Sequence, residues 1–396
     1  MLGHLPSPPI DPIITLNAAY RADPSANKID LGIGVFKDAD GETPIYRAVK
    51  AAETRLVQEQ KTKTYVSPVG DLTFVQLAGD LIFTGKKLLK DYAGAQTAGG
   101  TGAVRLAVEV STRSGCETVW IPTPTWGNHK SIAKIANMNM RTYRHHSFQL
   151  TGSAEMALQD LAEAKPGDVI ILHGCCHNPT GIDYSESERS QIVSFVRERG
   201  LLPIVDLAYL GFGKGLAEDK ALTEEVLANC PEVLIAMSFS KNMGLYRDRV
   251  GACFVVSNEP GTIDVAQRTL ASVARSMYSM PPDHGAAVAS YILGDEGLRA
   301  EWLSELSGQR NHINENRQKL CSALSAANVQ LDTSYISGGG GMFCLLPLSE
   351  DAIVHLREKE SLYLGPAARV NIAALRDATL PRVAELLATV LPSSAA

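Results

Sequence analysis

The chain has 396 residues, which suffices for roughly two or three domains and a core of ordinary size. Its 37 basic and 43 acidic residues give a formal net charge of −6, spread without long runs of one sign. That pattern argues against a protein that binds nucleic acid or a membrane surface. A hydrophobic fraction of 45% and a charged fraction of 20% predict that most of the chain folds.

The sequence contains no signal for a membrane or for export. No apolar run approaches the ~20 residues needed to cross a bilayer, and Met1–Pro9 has neither a basic region nor a continuous apolar region. We therefore expect a cytoplasmic protein that spans no membrane. Seven cysteines, with Cys175 and Cys176 adjacent, suit neither a disulfide framework nor a spaced metal cage, and we expect reduced thiols.

Two short stretches contain side chains that bind metals elsewhere. They are His145-His146 and Cys175-Cys176-His177. Adjacent ligands cannot easily close one tetrahedral site, so we expect no metal.

The first part of the chain is predicted to hold an arm, a strand and two helices. Prolines make the opening segment to about Ile14 an extended arm. The apolar run Leu31–Phe36 predicts a strand, and Lys37–Gly41 predicts the turn that ends it. Between residues 45 and 90, the apolar spacing predicts two amphipathic helices on either side of a loop at Thr62–Pro68.

The centre of the chain alternates between strand-like and helical patterns. The segment Ser185–Arg199 has a helical period, with Ile192, Phe195 and Val196 as its buried stripe. Nearly all-apolar strands between helices predict a mostly parallel sheet that is covered on both faces. The strand-like runs are Thr118–Ile121, Val169–Leu172, Leu201–Val205, Val233–Met237 and Ala252–Val256.

The last part of the chain is predicted to leave this sheet. Apolar spacing over Leu298–Ala327 predicts long helical structure that leads into a second, smaller domain. The predicted division is an arm over residues 1–14, a large domain over 45–305, and a small domain over 15–44 and 306–396. The elements predicted after the glycine run Gly338–Gly341 are a strand at Met342–Leu346, a helix near Asp351–Lys359, a strand at Arg369–Ala373 and a helix near Leu380–Leu391.

Polar side chains follow four successive predicted strands. They are Trp126, Asn178, Asp206 with Tyr209, and Ser238 with Lys241. Ligands of open parallel sheets bind beyond the carboxyl ends of the strands, so we expect these side chains to meet. A pyridoxal phosphate site needs a lysine for the Schiff base and a carboxylate that keeps the pyridine nitrogen protonated. A phenol and an amide can hold the ring oxygen, and a flat aromatic can cover the ring.

A glycine-rich run supplies a candidate phosphate site. Gly99–Ala103 precedes the helical stretch Val104–Val110, so backbone N–H groups and the Thr101 hydroxyl can meet a phosphate at a helix N-terminus. Ser238 and Arg249 can complete the site.

Each of these residues also has an ordinary structural interpretation. A glycine-rich turn is more often only a turn, and an aspartate after a strand is more often a helix cap. A lone lysine is usually solvated, and a lone tryptophan is most often part of the core. Because these residues occur together, each after one of several successive strands, we favour an active site over the ordinary interpretations.

Four stretches of the sequence resemble the signatures of the class I aminotransferases, specifically the aspartate and aromatic amino acid aminotransferases, and occur in the same order. They are Gly99–Ala103, His173–Gly181, Asp206–Tyr209 and Ser238–Gly251. The resemblance runs from about Leu31 to Ala373 and is greatest to bacterial aromatic amino acid aminotransferases. It implies an α/β protein of fold type I, in which a large domain with a mostly parallel, helix-covered sheet carries a smaller α+β domain.

The resemblance also implies a role for each cofactor residue. Lys241 matches the Schiff-base lysine, Asp206 the partner of the pyridine nitrogen, and Trp126 the residue stacked on the ring. Tyr209 and Asn178 match the partners of the ring oxygen, and His129 and His173 match histidines near the aspartate. The phosphate ligands of the family correspond to Gly100, Thr101, Ser238 and Arg249. A further phosphate ligand, which comes from the neighbouring subunit, corresponds to Tyr65.

Further matches concern the substrate and the assembly. Arg369 matches the arginine that binds the substrate α-carboxylate, and Arg275 matches one that reaches across a dimer to a side-chain carboxylate. Gly34, Trp126 and Asn178 match positions beside the substrate, which the family encloses by moving its small domain. Sites shared between subunits imply a two-fold homodimer, with the arm lying on the partner.

The sequence departs from the family pattern at four places. Phe36 stands where the family often has tyrosine, and Arg247 adds a cation near the cofactor signature. The stretches Gly338–Gly341 and Gly365–Ala368 are looser and shorter than usual. The closing geometry of the small domain, and with it the substrate preference, is therefore left open.

The predicted reaction is ping-pong transfer of the amino group of aromatic amino acids and aspartate to 2-oxoglutarate. A dedicated aspartate:2-oxoglutarate aminotransferase is the alternative, and a pyridoxal phosphate lyase or decarboxylase on the same fold is a further one. A non-catalytic binding protein would be expected to lose Lys241 or Asp206. A nicotinamide oxidoreductase would need a complete glycine fingerprint with an acidic ribose partner, which is missing.

Overall fold

The computed structural model describes residues 4–5, 10–83, 91–145 and 154–392. The strands of this part of the chain are β1 (Ile29–Leu31), β2 (Asp91–Ala98), β3 (Thr118–Thr123), β4 (Asn139–Arg144), β5 (Val169–His173), β6 (Leu202–Leu207), β7 (Glu232–Ser238), β8 (Val250–Ser257), β9 (Phe343–Leu345), β10 (Leu362–Leu364) and β11 (Arg369–Asn371).

Helices surround these strands. They are α1 (Pro12–Ala22), α2 (Arg47–Glu59), α3 (Leu72–Phe83), α4 (Gly99–Arg113), α5 (Gly127–Ile135), α6 (Ala154–Leu161), α7 (Glu186–Arg199), α8 (Ala221–Asn229), α9 (Thr262–Tyr278), α10 (His284–Gly294), α11 (Glu296–Ala326), α12 (Ser334–Ser337), α13 (Glu350–Glu360) and α14 (Leu380–Ala388). Among the described helices, none is both long and apolar enough to cross a membrane.

A seven-stranded sheet in the order β2-β8-β7-β6-β5-β3-β4 forms the centre. Its strands pair in parallel except for β8, which runs antiparallel to both of its neighbours. Both faces are covered: Leu234 and Ala236 of β7 pack in one apolar cluster, while Ile235 and Met237 pack in another. The α/β fold with a mostly parallel, helix-covered sheet is thereby confirmed.

Two smaller sheets lie outside the central one. Strand β1 pairs in parallel with β10, and β11 pairs antiparallel with β9. The predicted long helix is α11, whose 31 residues span about 46 Å at ~1.5 Å per residue. Trp302, Leu306, Ile313 and Leu320 form its buried stripe. The numbered domain boundaries stay a prediction.

Three local predictions within the first 103 residues differ from the structure. The chain from Pro12 is helical rather than extended, because the Asp11 side chain accepts hydrogen bonds from the first free N–H groups of α1. The rest of the predicted arm falls partly on residues 1–3 and 6–9, outside the described residues. The strand predicted at Leu31–Phe36 ends at Leu31, because the Ile33 and Val35 carbonyls accept from the Asn371 side chain rather than from a strand. The glycine-rich run does not precede its helix, because α4 begins at Gly99 itself.

Candidate active site

A cavity lies at the carboxyl ends of β5, β6 and β7, where the sequence analysis predicts the site. Asp206 lies within β6, Ser238 ends β7, Trp126 is the residue before α5, and Thr101 lies in the first turn of α4. The predicted residues that line the cavity are Gly34, Gly100, Thr101, Trp126, Asn178, Asp206, Tyr209, Ser238, Lys241 and Arg249.

Lys241 projects into the cavity from the turn that follows β7. Its Nζ lies 5.1 Å from the centroid of the Tyr209 ring. Burial lowers the pKa of the amine from its usual 10.5 to about 8, although the Asp206 carboxylate acts in the opposite direction. The Trp302 indole N–H donates to the Asn242 carbonyl over 2.6 Å, which fixes the turn next to the lysine.

Asp206 stands at the end of a chain of hydrogen bonds. His129 Nε2 lies 3.1 Å from Asp206 Oδ2, and His129 Nδ1 lies 2.9 Å from the Thr125 hydroxyl. The same hydroxyl lies 3.1 Å from His173 Nε2, and His173 Nδ1 accepts from the Asn178 N–H. Burial holds the pKa of His173 well below its usual value, so this ring is neutral.

One set of donors that satisfies this chain starts from the neutral His173. With a neutral His173 accepting at Nδ1, its Nε2–H donates to Thr125, the Thr125 hydroxyl donates to His129 Nδ1, and His129 Nε2–H donates to Asp206. The carboxylate therefore accepts a buried hydrogen bond and remains able to face a cation in the cavity.

Tyr209 and Asn178 line the cavity, and Arg369, which is not among the lining residues, is hydrogen bonded to Asn178. Asn178 Nδ2 donates to the Tyr209 hydroxyl over 3.3 Å, and Arg369 Nη1 donates to Asn178 Oδ1 over 3.2 Å. Arg369 Nη2 donates to the Gly32 carbonyl over 2.8 Å, while the guanidinium lies 4.1 Å from the centroid of the Phe343 ring. These contacts hold the guanidinium plane in a fixed orientation beside the cavity.

Small residues and one arginine shape the proposed phosphate end. A Cβ at Gly100 would lie 2.9 Å from the Ser238 Cβ, and one at Gly99 would lie 2.4 Å from Arg249 Nη2. Side chains at these two positions would therefore fill the space next to the first turn of α4. Arg249 has a φ of +57° and donates to the Ser240 hydroxyl and the Tyr246 carbonyl, which directs its guanidinium toward this turn.

Besides Arg369, two predicted residues lie outside the lining of this cavity. Tyr65 is 93% exposed. Arg275 is exposed near the end of α9, where its Nη1 donates to the Ser279 hydroxyl over 3.1 Å. Neither is brought to the cavity of its own chain, which is the arrangement expected of residues that serve a neighbouring subunit.

The sequence analysis missed two cavity residues that the lysine turn supplies, Ser240 and Tyr246. Both fall within the signature around Lys241, so their position in that motif was the available signal. Arg247, singled out as an added cation, is exposed and lies outside the cavity lining. A turn has no regular periodicity, so sequence position alone could not predict that Tyr246 faces the cavity while Arg247 faces solvent.

The stretches considered for metal binding have another physical account. Cys175, Cys176 and Asp219 bring their ligand atoms within 4.8 Å of one another. A hydrogen bond with Cys176 lowers the pKa of Cys175, but burial outweighs it and the value is about 11, so the thiol is protonated. Asp219 already accepts from the backbone N–H groups of Gly211, Gly213, Lys214 and Gly215. His145 stacks on His177, and His146 lies outside the described residues. The absence of a metal stays a prediction.

Comparison with known proteins identifies the family. Residues 26–387 match the family model described as aminotransferase class I and II. The chain belongs to this family. It is 41% identical to a tyrosine aminotransferase of Rhizobium meliloti over 94% of this chain and 96% of the relative. It is 38% identical to an aspartate aminotransferase of Salmonella typhi over 99% of this chain and the whole of the relative.

A solved structure extends this likeness to the fold. The chain superposes with a TM-score of 0.94 and 32% identity on an aromatic-amino-acid aminotransferase from Burkholderia pseudomallei that is covalently bound to pyridoxal phosphate. The match covers 99% of this chain and the whole of that one. The resemblance read from the sequence and the fold type are confirmed. The protein is an enzyme, a transaminase that depends on pyridoxal 5′-phosphate.

The residues of the cavity fit this cofactor. A lysine amine, a carboxylate, a phenol and an indole lie in one cavity. The glycine-lined first turn of α4 and the Arg249 guanidinium give an anionic group both space and charge at the other end.

Proposed function

We propose that this transaminase moves the amino group of aromatic amino acids and of aspartate to 2-oxoglutarate in a ping-pong reaction, and that the thirteen predicted site residues act as assigned above. The observation that carries the proposal is that Lys241 and Asp206 line one cavity, and that Arg369 is hydrogen bonded to Asn178, which lines the same cavity. A base, an anion for the ring nitrogen and a carboxylate receptor are thereby held within reach of a single amino acid.

The cofactor, when bound, supplies an electron-withdrawing ring that allows a proton to leave the substrate α-carbon. The Asp206 carboxylate keeps the ring nitrogen cationic, and the His129 N–H holds that carboxylate in place. The Asn178 amide donates to the Tyr209 hydroxyl over 3.3 Å, and together they would hold the ring oxygen. The Trp126 indole covers the ring face.

The phosphate end anchors the cofactor while the amine of Lys241 is displaced. Gly100, Thr101 and Ser238 offer backbone N–H and hydroxyl donors, and Arg249 offers a positive charge. An anchor that does not involve Lys241 leaves that side chain free to act as a base.

Lys241 is the proposed base that moves the proton. An amine with a pKa of about 8 is neutral in about one molecule in ten at pH 7, compared with fewer than one in a thousand for an ordinary lysine. The neutral amine would take the α-proton from the substrate and, as the ammonium ion, would hold it for return. Burial of the amine therefore makes the side chain a usable base near neutral pH.

Arg369 is the proposed receptor of the substrate α-carboxylate. Its two Nη atoms carry four N–H groups, of which one donates to Asn178 and one to Gly32. Two N–H groups remain for a carboxylate, and the fixed plane of the guanidinium suits a bidentate contact. Gly34 lines the same cavity and leaves space for the amino acid.

The substrate range of the proposal rests on the relatives. Proteins named for tyrosine, aromatic amino acids and aspartate resemble this chain over nearly its full length. An enzyme that accepts both aspartate and aromatic amino acids needs a cation that binds the aspartate side chain and moves aside when an aromatic side chain binds. Arg275 is exposed, and its Nη1 donates to the Ser279 hydroxyl. It is the candidate for this cation, and we propose that it serves the cavity of the neighbouring subunit. A cytoplasmic location stays a prediction of the sequence.

The test begins with the absorption spectrum of the purified enzyme with bound pyridoxal phosphate. We expect aspartate and phenylalanine, added separately, each to convert the cofactor band to that of the amine form, and 2-oxoglutarate to restore it. Conversion by aspartate alone would support the dedicated aspartate enzyme. Lys241→Ala should abolish transamination while the protein stays folded, whereas the exposed Lys214→Ala should retain it. Near-normal turnover by Lys241→Ala would contradict the assignment.

The proposed homodimer is tested by mixing two inactive variants. In a shared site, Lys241 comes from one chain and Arg275 from its partner, so a dimer of Lys241→Ala with Arg275→Ala contains one site with both residues intact. We expect mixing under subunit exchange to restore activity toward aspartate, up to about a quarter of wild type for random pairing. If Arg275 acts in its own chain, or if the enzyme is a monomer, mixing restores nothing.

A further inference from the structure

The segment Gly32–Lys37 contributes Gly34 to the cavity lining on the side where the substrate is proposed to bind, and is called the wall here. Gly34 lines the cavity, and a Cβ there would lie 2.7 Å from the Phe343 ring. The Asn371 side chain donates to the carbonyls of Ile33 and Val35 over 2.6 and 2.7 Å. The segment is thus fixed to β9 and β11, the strands that carry Phe343 and Arg369.

One hydrogen bond joins this wall to the lysine turn. Among the described residues, the link between Gly32–Lys37 and the turn after β7 is the Phe36 N–H, which donates to the Tyr246 hydroxyl over 3.2 Å. Tyr246 also lines the cavity, and its carbonyl accepts from Arg249 over 3.0 Å. A single residue therefore contacts both the wall on the substrate side and the arginine on the phosphate side.

The phenol is suited to hold this link over the whole working range of pH. Burial raises the pKa of Tyr246 to about 12, so the hydroxyl stays neutral. A neutral hydroxyl is an ordinary acceptor for a backbone N–H. Phe36 is only 7% exposed, so its N–H would lack an equivalent acceptor if the oxygen were removed.

We propose that Tyr246 is a positioning residue that sets the place of the Gly32–Lys37 wall relative to the cofactor and thereby the affinity for the amino acid. The inference rests on the proposed function, since it assumes that the amino acid binds between this wall and Lys241. It adds a role for a phenol that neither touches the ring oxygen nor carries a proton in the reaction.

The test is Tyr246→Phe, which keeps the ring and removes the acceptor. We expect KM for aspartate and phenylalanine to rise about fivefold, in the range of one lost hydrogen bond, while kcat changes less than twofold. The absorption band of bound pyridoxal phosphate should stay unchanged. Hydrogen exchange at the Phe36 amide, followed by NMR with selective labelling of the nine phenylalanines, should become about tenfold faster.

Tyr46→Phe is the matched control. Tyr46 is a nearby buried phenol that donates to Gln309 over 2.8 Å and lies outside the cavity lining. We expect it to leave KM and Phe36 exchange unchanged. Equal KM values for Tyr246→Phe and wild type, a change in kcat alone, or the same change in both variants would overturn the inference while the proposed function stands. Failure of the wild-type enzyme to transfer any amino group in the same assay would overturn the proposed function.

Discussion

His129 Nε2 lies 3.1 Å from Asp206 Oδ2, and both side chains are buried. The pair couples Asp206, the proposed partner of the ring nitrogen, to a chain of hydrogen bonds that ends at the backbone N–H of Asn178, a proposed partner of the ring oxygen. One network therefore positions two residues that are proposed to hold the cofactor. Loss of a middle member should disturb the aspartate without altering any group that touches the cofactor.

His129→Leu removes the donor to Asp206. We expect the affinity for pyridoxal phosphate to fall about ten- to a hundredfold, because a buried hydrogen bond to a charged group contributes about 1.5–3 kcal/mol. Titration of the apoenzyme with the cofactor, followed by absorbance, measures this. His284→Leu, at an exposed histidine that begins α10, should bind the cofactor as the wild type does. Unchanged affinity in His129→Leu would show that the network does not support Asp206.

The depressed pKa of Lys241 predicts how the stability of the apoenzyme depends on pH. The amine has a pKa of about 8 when folded and its usual 10.5 when unfolded, so the unfolded chain binds more protons between these values. Stability should therefore rise as pH increases from about 8 to 10.5, by up to about 3 kcal/mol relative to Lys241→Met. Below about pH 8 the lysine is charged in both states, and the full cost of burying that charge is present.

Urea unfolding of apo wild type and apo Lys241→Met at several pH values checks this prediction. The difference between the two free energies of unfolding should grow in favour of the wild type with increasing pH. Lys214→Met, at an exposed lysine, should show no such trend relative to the wild type. A flat difference for Lys241→Met would mean that the amine is solvated in the apoenzyme.

The sequence predicted the centre of the fold and most of the site because strong local patterns coincide there. All-apolar runs fix β3, β5, β6, β7 and β8, and the polar residues that follow them meet because parallel strands end at one edge. Asp206 and Lys241 lie on adjacent strand ends and face the same cavity for that reason. Here local sequence and global topology give the same answer.

Other elements could not be predicted because their stability comes from distant contacts. Strand β4 is mostly exposed and polar, and it exists through its pairing with β3 rather than through its own apolar pattern. Strand β2 contains small and polar residues and depends on the register with β8. The segment after Leu31 does not continue the strand, because the side chain of Asn371, more than 300 residues away, donates to its carbonyls at Ile33 and Val35. Such side-chain contacts have no signal in the local sequence.

Backbone strain next to Arg369 leads to a prediction about stability. Ala367 and Ala368 both have left-handed backbone angles, with φ of +55° and +57°, directly before the arginine. Ala367 is exposed, so Ala367→Gly relieves the strain without removing a buried methyl group. The left-handed conformation costs an alanine about 1–2 kcal/mol, and the greater flexibility of unfolded glycine offsets about 0.5–1 kcal/mol of that relief.

We therefore expect Ala367→Gly to stabilise the protein by about 0.5 kcal/mol, seen as a higher urea midpoint with an unchanged slope. Ala51→Gly, at an exposed position inside α2, should instead destabilise it by about 1 kcal/mol. A lower midpoint for Ala367→Gly would mean that the two alanines are not strained.

Arg369→Lys tests the fork that is proposed to bind the substrate carboxylate. Lysine keeps the positive charge but cannot donate to Asn178, to the Gly32 carbonyl and to both oxygens of a carboxylate at once. We expect kcat/KM for amino acids to fall about a hundredfold or more, as for loss of two charge-assisted hydrogen bonds, while the absorbance of bound cofactor is retained. Arg382→Lys is the matched control, because the two Nη atoms of Arg382 also donate to two carbonyl oxygens, those of Asn27 and Glu360, and neither of these residues lines the cavity. If the two variants lose equal activity, the effect is one of packing, and the carboxylate receptor must be sought elsewhere.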